Sequence, residues 1–533
     1  MDTFSLLWRA PEVNPVNQKA RSIPFFNPIS TTYGRTFFFS WFGFMIAFWS
    51  WYAFPPLLAD VIAGDIHMKS YQVANSNIIA LTATLIVRLI AGPACDRFGP
   101  RLTFAGCLLA GAVPTFLAGA VFNASGLYAL RFFIGILGGS FVPCQVWTTG
   151  FFDKNVVGTA NALAGGLGNL GGGITYFVMP AVYKALMKDG LPSHKAWRVS
   201  FVVPGILIVF VAICLVVFCD DTPTGKWGER HAAVEESLRR HDVKVGPAEG
   251  DVVNIRGDLQ DVPKASPMSS RLGSTADIDA SGTEKRSSPA SPASDDEKKH
   301  GWRDDEAQQT DTEMINTAST EVIQKPSFKS IALTMFSLQT LVPAACYFGT
   351  FGAELSINSI LGNYYMHNFP HMSLQVSGNW AAMFGLLNGV ARPLGGYISD
   401  LAYRRTGSNV WAKKAVLHTY GIITGIFLIV IGVLNPKDVS TMMGLVGGLA
   451  VFLEGGNGAD FGLVPHVHPH ANGVVSGFTG AMGNLGGIVF AIIFRYNGKN
   501  YGRVFYIIGA IVIGINVAVS WIRPVAKKPI GAR

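Results

Sequence analysis

Gly168-Asn169-Leu170-Gly171-Gly172 and Gly483-Asn484-Leu485-Gly486-Gly487 are one stretch written twice. Each lies inside a long apolar run, and the match continues upstream at a fixed offset. Gly158 pairs with Gly473, Gly165 with Gly480, Gly168 with Gly483 and Asn169 with Asn484. On their own, Gly168-x3-Gly172 and Gly483-x3-Gly487 argue only for close helix packing. They leave Asn169 and Asn484 to be explained, because an amide in hydrocarbon needs a partner. A glycine-lined helix with one buried Asn, present once per half, brings helix backbones close around something small and polar.

The apolar runs around this pair set the class of the molecule. Of 533 residues, 49% are hydrophobic and 14% are charged, where an ordinary soluble domain carries about 25% charged. Twelve runs have the length needed to cross roughly 30 Å of hydrocarbon. They fall near 37–60, 73–95, 101–122, 126–150, 157–183, 198–219, 330–362, 375–398, 413–434, 440–463, 471–494 and 502–522. The expectation is an all-α protein of the lipid bilayer, with a six-helix bundle over 37–219, a connector over 220–329 and a second six-helix bundle over 330–522. Residues 1–36 and 523–533 form the terminal segments.

The formal net charge of +8 fits topology better than nucleic-acid binding. Arg9, Lys19, Arg21 and Arg35 precede the first run. Arg97 and Arg101 follow the second, Arg404, Arg405, Lys413 and Lys414 follow the eighth, and Arg523, Lys527, Lys528 and Arg533 end the chain. With alternating spans these share one side, which the positive-inside rule makes cytoplasmic, both termini included. Lys184, Lys188, Lys195 and Arg198 run against the rule.

The connector is rich in charge, Ser, Thr, Pro and Gly, as in Ser287-Ser288-Pro289 and Asp295-Asp296-Glu297-Lys298-Lys299. Such composition predicts disorder. It reads either as a solvated tether or as a site for a kinase or other regulatory partner. Cys95, Cys107, Cys144, Cys214, Cys219 and Cys346 all fall in or at the ends of runs, so no disulfide framework, metal site or cofactor is expected. His466, His468 and His470 have metal-like spacing, but Pro465 and Pro469 favour a plain loop. No cleavable signal peptide is visible. No nucleophile–base pair or phosphate loop appears, and an enzyme is not expected.

A second repeat joins the first. Arg88-x3-Gly92-x3-Asp96 in the second run returns as Arg392-x3-Gly396-x3-Asp400 in the eighth. Two related halves are the architecture of a secondary transporter, with substrate at their interface. Gly92-Pro-Ala-Cys-Asp96-Arg97-Phe-Gly99-Pro-Arg101 resembles the loop motif of the major facilitator superfamily, and Arg131-x3-Gly135-x3-Gly139 is similar to a second motif of it.

Arg88 and Arg392 each lie about two turns before the end of a span, where a charged residue costs about 2.5–3.5 kcal/mol. Snorkelling to the cytoplasmic face or a carboxylate partner would explain one or both of them. The first six span interiors hold no Asp or Glu, and Asp60 and Asp96 lie at span ends, which weakens the second explanation. The functional alternative is two planar guanidinium forks facing one anion across a central cavity.

The stretches Ala164–Pro180 and Gly477–Gly487 closely resemble the two signatures of the nitrate/nitrite porter family. The long connector makes the chain look like its fungal branch, the high-affinity nitrate transporters. The resemblance implies that Arg88 and Arg392 clamp nitrate or nitrite, with Asn169 and Asn484 beside them on helices lined by Gly168, Gly172, Gly483 and Gly487. It also nominates Phe48, Phe141, Tyr347 and Phe351 as cavity-lining rings, where each Phe alone would read as packing. Gln145 reads equally as a ligand or as a packing amide. Glu454 and Asp460, flanking Gly455-Gly456-Asn457-Gly458, read as a proton carrier or as structural groups around irregular backbone. The branch implies proton-coupled nitrate import at the plasma membrane. Nitrate/nitrite exchange, nitrate sensing and transport of another small anion stand as alternatives.

Overall fold

A computed structural model describes residues 7–525 apart from 15–16, 231, 234–235, 237–326, 373 and 499. The serine and acidic runs of the connector and the basic residues Lys527, Lys528 and Arg533 lie outside the described residues. The first half is built from α1 (Thr32–Trp51), α2 (Ser70–Phe98), α3 (Pro100–Phe116), α4 (Ala124–Ile134), α5 (Phe141–Phe151), α6 (Val157–Lys188) and α7 (Val202–Phe218). A 3-10 turn, Gly135–Ser140, joins α4 and α5 into one span. The second half holds α8 (Leu338–Asn368), α9 (Leu374–Leu386), α10 (Asn388–Arg405), α11 (Val410–Leu434), α12 (Val439–Val467), α13 (Asn472–Asn497) and α14 (Tyr501–Val519). With α9 and α10 also counted as one span, six spans precede the connector and six follow it. No β-strand occurs among the described residues.

Nine described helical segments pass on length and apolar composition alone as membrane-crossing, or ten with the bent pair that includes α8. The glycine-rich α6 and the pair α9–α10 fall short of that test because Gly, Asn and Arg dilute their apolar content. Large apolar side chains such as Ile90, Val113, Phe210 and Val517 are exposed on the outside of the bundle, the surface that hydrocarbon covers.

Several expectations need correction. The run at 330–362 is not one span: Phe328–Met335 is bent by 61° from α8, and Ser337 caps α8 by accepting the Thr340 N–H. The run at 375–398 is broken at Leu387 and extends to Arg405. Within it Pro393 has no N–H to offer the Gly389 carbonyl. Gly455-Gly456-Asn457-Gly458 lies in continuous α-helix. Its glycines serve close approach, since a Cβ on Gly458 would stand 2.0 Å from the Arg392 carbonyl oxygen.

Lys413 and Lys414 are buried rather than facing solvent. Lys413 donates to Asp400 at 2.5 Å, and Lys414 donates to the Val519, Ser520 and Ile522 carbonyls at the end of α14. The histidine cluster is no plain loop either. His466 ends α12 against the Tyr403 ring, and His468 meets the Ser337 hydroxyl at 2.9 Å. Among the described residues no group of side chains has the makings of a metal site.

The face carrying both ends of the chain, here the terminal face, is also built from extended chain. Ala20 pairs with Phe151 and Asp153 in the loop before α6. Trp227, just past α7, covers Gly99 and donates to the Asp96 carbonyl at 3.3 Å. On the opposite face, Arg198 pairs with Asp65 at 2.7 Å, which accounts for one of the basic residues that break the charge rule.

Candidate functional site

The two repeats in the sequence meet each other crosswise. The face Arg88, Gly92, Asp96 of α2 recurs every four residues and lies along α13, the signature helix of the other half. Arg88 Nη1 donates to the Gly480 carbonyl at 2.9 Å. Gly92 crosses α13 so closely that a Cβ on it would stand 2.4 Å from the Gly473 oxygen. The Asp96 carboxylate accepts the Gly473 and Val474 N–H groups at 2.9 and 3.0 Å. The face Arg392, Gly396, Asp400 of α10 lies along α6 in the same manner. A Cβ on Gly165 would sit 3.0 Å from Arg392 Nε, and one on Gly396 2.4 Å from the Ala162 methyl. Asp400 accepts the Gly158 and Thr159 N–H groups at 3.2 and 2.6 Å.

Each aspartate therefore caps the first turn of the opposite half's signature helix, where orphan N–H groups and the helix dipole both favour an anion. These two caps hold the terminal face closed. The matched pair Gly158 and Gly473 sits where a Cβ would reach within 2.4–2.5 Å of the capping oxygens.

Two turns above the caps, the arginines converge on one pair of rings. The Arg88 guanidinium carbon lies 4.8 Å from the centre of Phe141 and 5.4 Å from that of Phe351. The corresponding distances for Arg392 are 5.5 and 5.9 Å. Both side chains are 1% exposed. They are held differently: Arg88 is tied by Nε to the Gly138 carbonyl at 3.0 Å and by Nη1 to Gly480. Arg392 gives Nη2 to the Tyr347 hydroxyl at 2.9 Å, while its Nε and Nη1 have no hydrogen-bond partner. A buried donor left without an acceptor is costly, and Arg392 carries two of them, on different edges of its guanidinium.

The rings form an ordered stack. Tyr347 lies 4.7 Å from Phe351 at 6° and 6.3 Å from Phe141 at 11°. Phe461 meets both Phe141 and Tyr347 edge-on, at 4.7 and 5.1 Å. Phe48 stands one ring away, contacting Phe44, which in turn packs on Phe141 at 5.3 Å.

Three of the signature glycines make room for these rings. A Cβ on Gly483 would come 2.6 Å from Tyr347 and 2.9 Å from Phe351. One on Gly168 would come 1.9 Å from Phe44, and one on Gly172 3.1 Å from Phe48. Gly487 faces Leu355.

The two asparagines are not equivalent. Asn484 donates to the Gly480 carbonyl at 3.0 Å, the same oxygen that receives Arg88. Asn169 reaches Asn388 at 3.4 Å, and Asn388 donates to Glu354 at 2.9 Å. The side-chain oxygens of Asn169 and Asn484 are unpartnered. Gln145 donates to the Asn161 carbonyl at 3.1 Å and adjoins Arg392 across Gly165.

Sequence reasoning passed over Phe44, Phe461, Asn388 and Asn457. Phe44 and Phe461 gave no signal among 36 phenylalanines. Asn388, one turn before Arg392, is the kind of buried amide that could have been sought.

Residues 40–491 match the Major Facilitator Superfamily. The chain belongs to that superfamily. A solved structure, the human organic anion transporter MFSD10, superposes with a TM-score of 0.52 over 91% of this chain and 99% of its own, at 11% identity. That likeness supports the twelve-helix major facilitator fold. This chain is 41% identical to elsinochrome transporter 1 of Elsinoe fawcettii over 99% of its own length and 100% of the relative. It is 30% identical to high affinity nitrate transporter 2.5 of Arabidopsis thaliana, over 88% of its own length and 75% of the relative. The protein is thus a multi-pass membrane transporter with nitrate transporters among its relatives.

Proposed function

We propose that this member of the superfamily imports nitrate, and nitrite with it, by proton symport and alternating access, the anion lying between Arg88 and Arg392. The observation that carries the reading is the meeting of two buried arginines, one per half, on the rings of Phe141 and Phe351, with Nε and Nη1 of Arg392 unpartnered. A flat oxyanion suits a guanidinium with donors to spare, and Phe141 and Tyr347 offer near-parallel faces around it. The relationship to nitrate transporters supports the same substrate.

The charge bias supports cytoplasmic termini, so the terminal face is the inner one, and import from outside the cell assigns the chain to the plasma membrane. Inward movement of one negative charge against an inside-negative potential costs about 2.3 kcal/mol per 100 mV. Protons supply that work, and the connector at 220–329 is where a kinase or other regulatory partner would act.

Nitrate uptake by the purified chain in liposomes tests the reading. Accumulation driven by an inward proton gradient is expected. Flux that needs internal nitrite and ignores the gradient would mark an exchanger, and binding without flux a sensor. A second reading, transport of elsinochrome or a compound like it, has the 41% identity over the full chain in its favour. It predicts elsinochrome flux with no nitrate uptake, which would overturn the first.

A further inference from the structure

Beside the arginines lies a group that the anion clamp does not use. Glu354 of α8 and Glu454 of α12 are both buried, at 3% and 0% exposure. The two Glu354 oxygens accept from Asn388 at 2.9 Å and from Asn457 at 2.7 Å. Among the described residues no hydrogen bond is formed to either Glu454 oxygen, and Asn457, the residue that donates to Glu354, lies about one turn along α12 from Glu454, so the two carboxyls adjoin. Among the described residues no Lys, Arg or His makes an ion pair with either carboxylate. Two carboxylates can bond to one another only if one carries a proton, and two bare charges so placed would repel. Glu354, with two amide donors at 2.9 and 2.7 Å, is the natural acceptor, and Glu454, less well supplied with donors, the natural holder of that proton.

The independent pointer is Arg392. Glu454 sits one turn along α12 from Gly458, where α12 crosses the Arg392 backbone, and Asn388 sits one turn before Arg392 on α10. The charge of Arg392 reaches both carboxylates, and its Nε and Nη1 are unpartnered.

The other groups facing the pair are few. Tyr52, just past α1, and Arg88 of α2 interact with Glu354, Tyr347 shares its helix, and Asp460 lies farther along α12. Tyr420 of α11 faces Gly455 and Gly456. Of the remaining helices packed on α8 and α12, α9 brings no charge. Lys184 and Lys188 of α6, Arg495 of α13 and Arg503 of α14 lie at the far ends, and Lys413, Lys414 and His418 of α11 at the terminal end.

We propose that Glu354 and Glu454 form one buried proton site that is loaded and emptied with the anion through Arg392. Without the anion, the Arg392 charge favours the ionised pair. An oxyanion bound at the Arg392 guanidinium neutralises that charge, and the pair binds one more proton with the anion in place than without it. By linkage the proton in turn favours the anion. One proton enters from the far face with each anion, and both leave at the terminal face, so no other carrier is needed. This rests on the nitrate-symport reading above and names the residues that carry its coupling.

The test uses the full chain in liposomes with nitrate as the probe and a pH dye inside. The parent should exchange nitrate by counterflow, accumulate it under an inward proton gradient and acidify the lumen. Glu454→Gln, fixed in the neutral form, should keep counterflow within about twofold while gradient-driven accumulation falls at least about tenfold. Its nitrate KM should lose dependence on external pH, and Glu454→Asp should restore part of the coupled uptake. Retained counterflow shows that the variant is folded. Accumulation by Glu454→Gln equal to the parent's overturns the proposal, as does loss of counterflow together with accumulation. A parent that exchanges nitrate but ignores the proton gradient removes the symport reading itself, a result separable from either.

Discussion

The Asp96 carboxylate of the first half accepts the Gly473 backbone N–H of the second at 2.9 Å, and Asp400 of the second half accepts that of Gly158 of the first at 3.2 Å. The two bonds are the same device used twice, each closing the terminal face. Replacing Asp96 with Asn removes the charge from two hydrogen bonds worth about 1.5–3 kcal/mol each when charge-assisted. The population open at the terminal face should rise about tenfold or more. Thiol labelling of Ser476→Cys, buried beside this crossing, from the terminal side of oriented vesicles reads the change. Labelling at the parental rate would dissociate the cap from closure.

The arginines are held unequally, and substitution should reflect it. Lys in place of Arg392 offers a point charge without the fork, and loses the donors that have no protein partner. Losing a charged hydrogen bond of about 1.5–3 kcal/mol should raise the nitrate KM about ten- to a hundredfold. For Arg88→Lys, a second effect adds to a raised KM: the ties to Gly138 and Gly480 are lost too, and detergent stability should fall. Uptake kinetics and thermal inactivation measured on both variants separate the two effects.

Gly483 sets the position of the ring stack. A methyl there would meet Tyr347 at 2.6 Å and Phe351 at 2.9 Å, and such overpacking typically costs about 1–3 kcal/mol. Gly483→Ala should raise the nitrate KM while leaving the protein in the membrane. Gly378→Ala, with nothing within 4 Å, is the matched control and should transport as the parent does.

At the opposite face Asp65 receives Trp197 Nε1 at 3.0 Å and pairs with Arg198 at 2.7 Å. Burial alone would raise its carboxyl, but the bonds from Trp197 and Arg198 outweigh this and hold it below the usual carboxylate value. The sign follows: the stabilisation is full above the unfolded-state value near about 4 and is lost as pH falls through the lower folded value. Asp65→Asn should lower thermal stability at pH 7, by on the order of 1 kcal/mol for a partly exposed pair. The difference from the parent should vanish at strongly acid pH.

Much of this was legible in the sequence because it was written twice. The periodic apolar runs carried the helical membrane fold, and the repeats of Arg-x3-Gly-x3-Asp and Gly-Asn-Leu-Gly-Gly marked the residues that now converge. That the two repeats dock crosswise was not readable, since nothing in a helix's own periodicity names the helix it crosses. Lys413 looked like a loop charge because Asp400, its partner, lies across a turn, and its burial depends on the packing of α10, α11 and α12. Gly455 to Gly458 looked like a break because glycine disfavours helix. There the close approach of Tyr420 and of the Arg392 backbone outweighs that preference. The unequal settings of Asn169 and Asn484 were hidden by their identical local sequence, since Asn388 has no counterpart beside Asn484.

The most direct test of the clamp is a structure of the chain determined with saturating nitrate. Density for the anion should touch both guanidinium groups, with Nε or Nη1 of Arg392 in hydrogen-bonding range and the rings of Phe141 and Tyr347 on either side. Nitrate density elsewhere, or none between Arg88 and Arg392 at saturation, would contradict it.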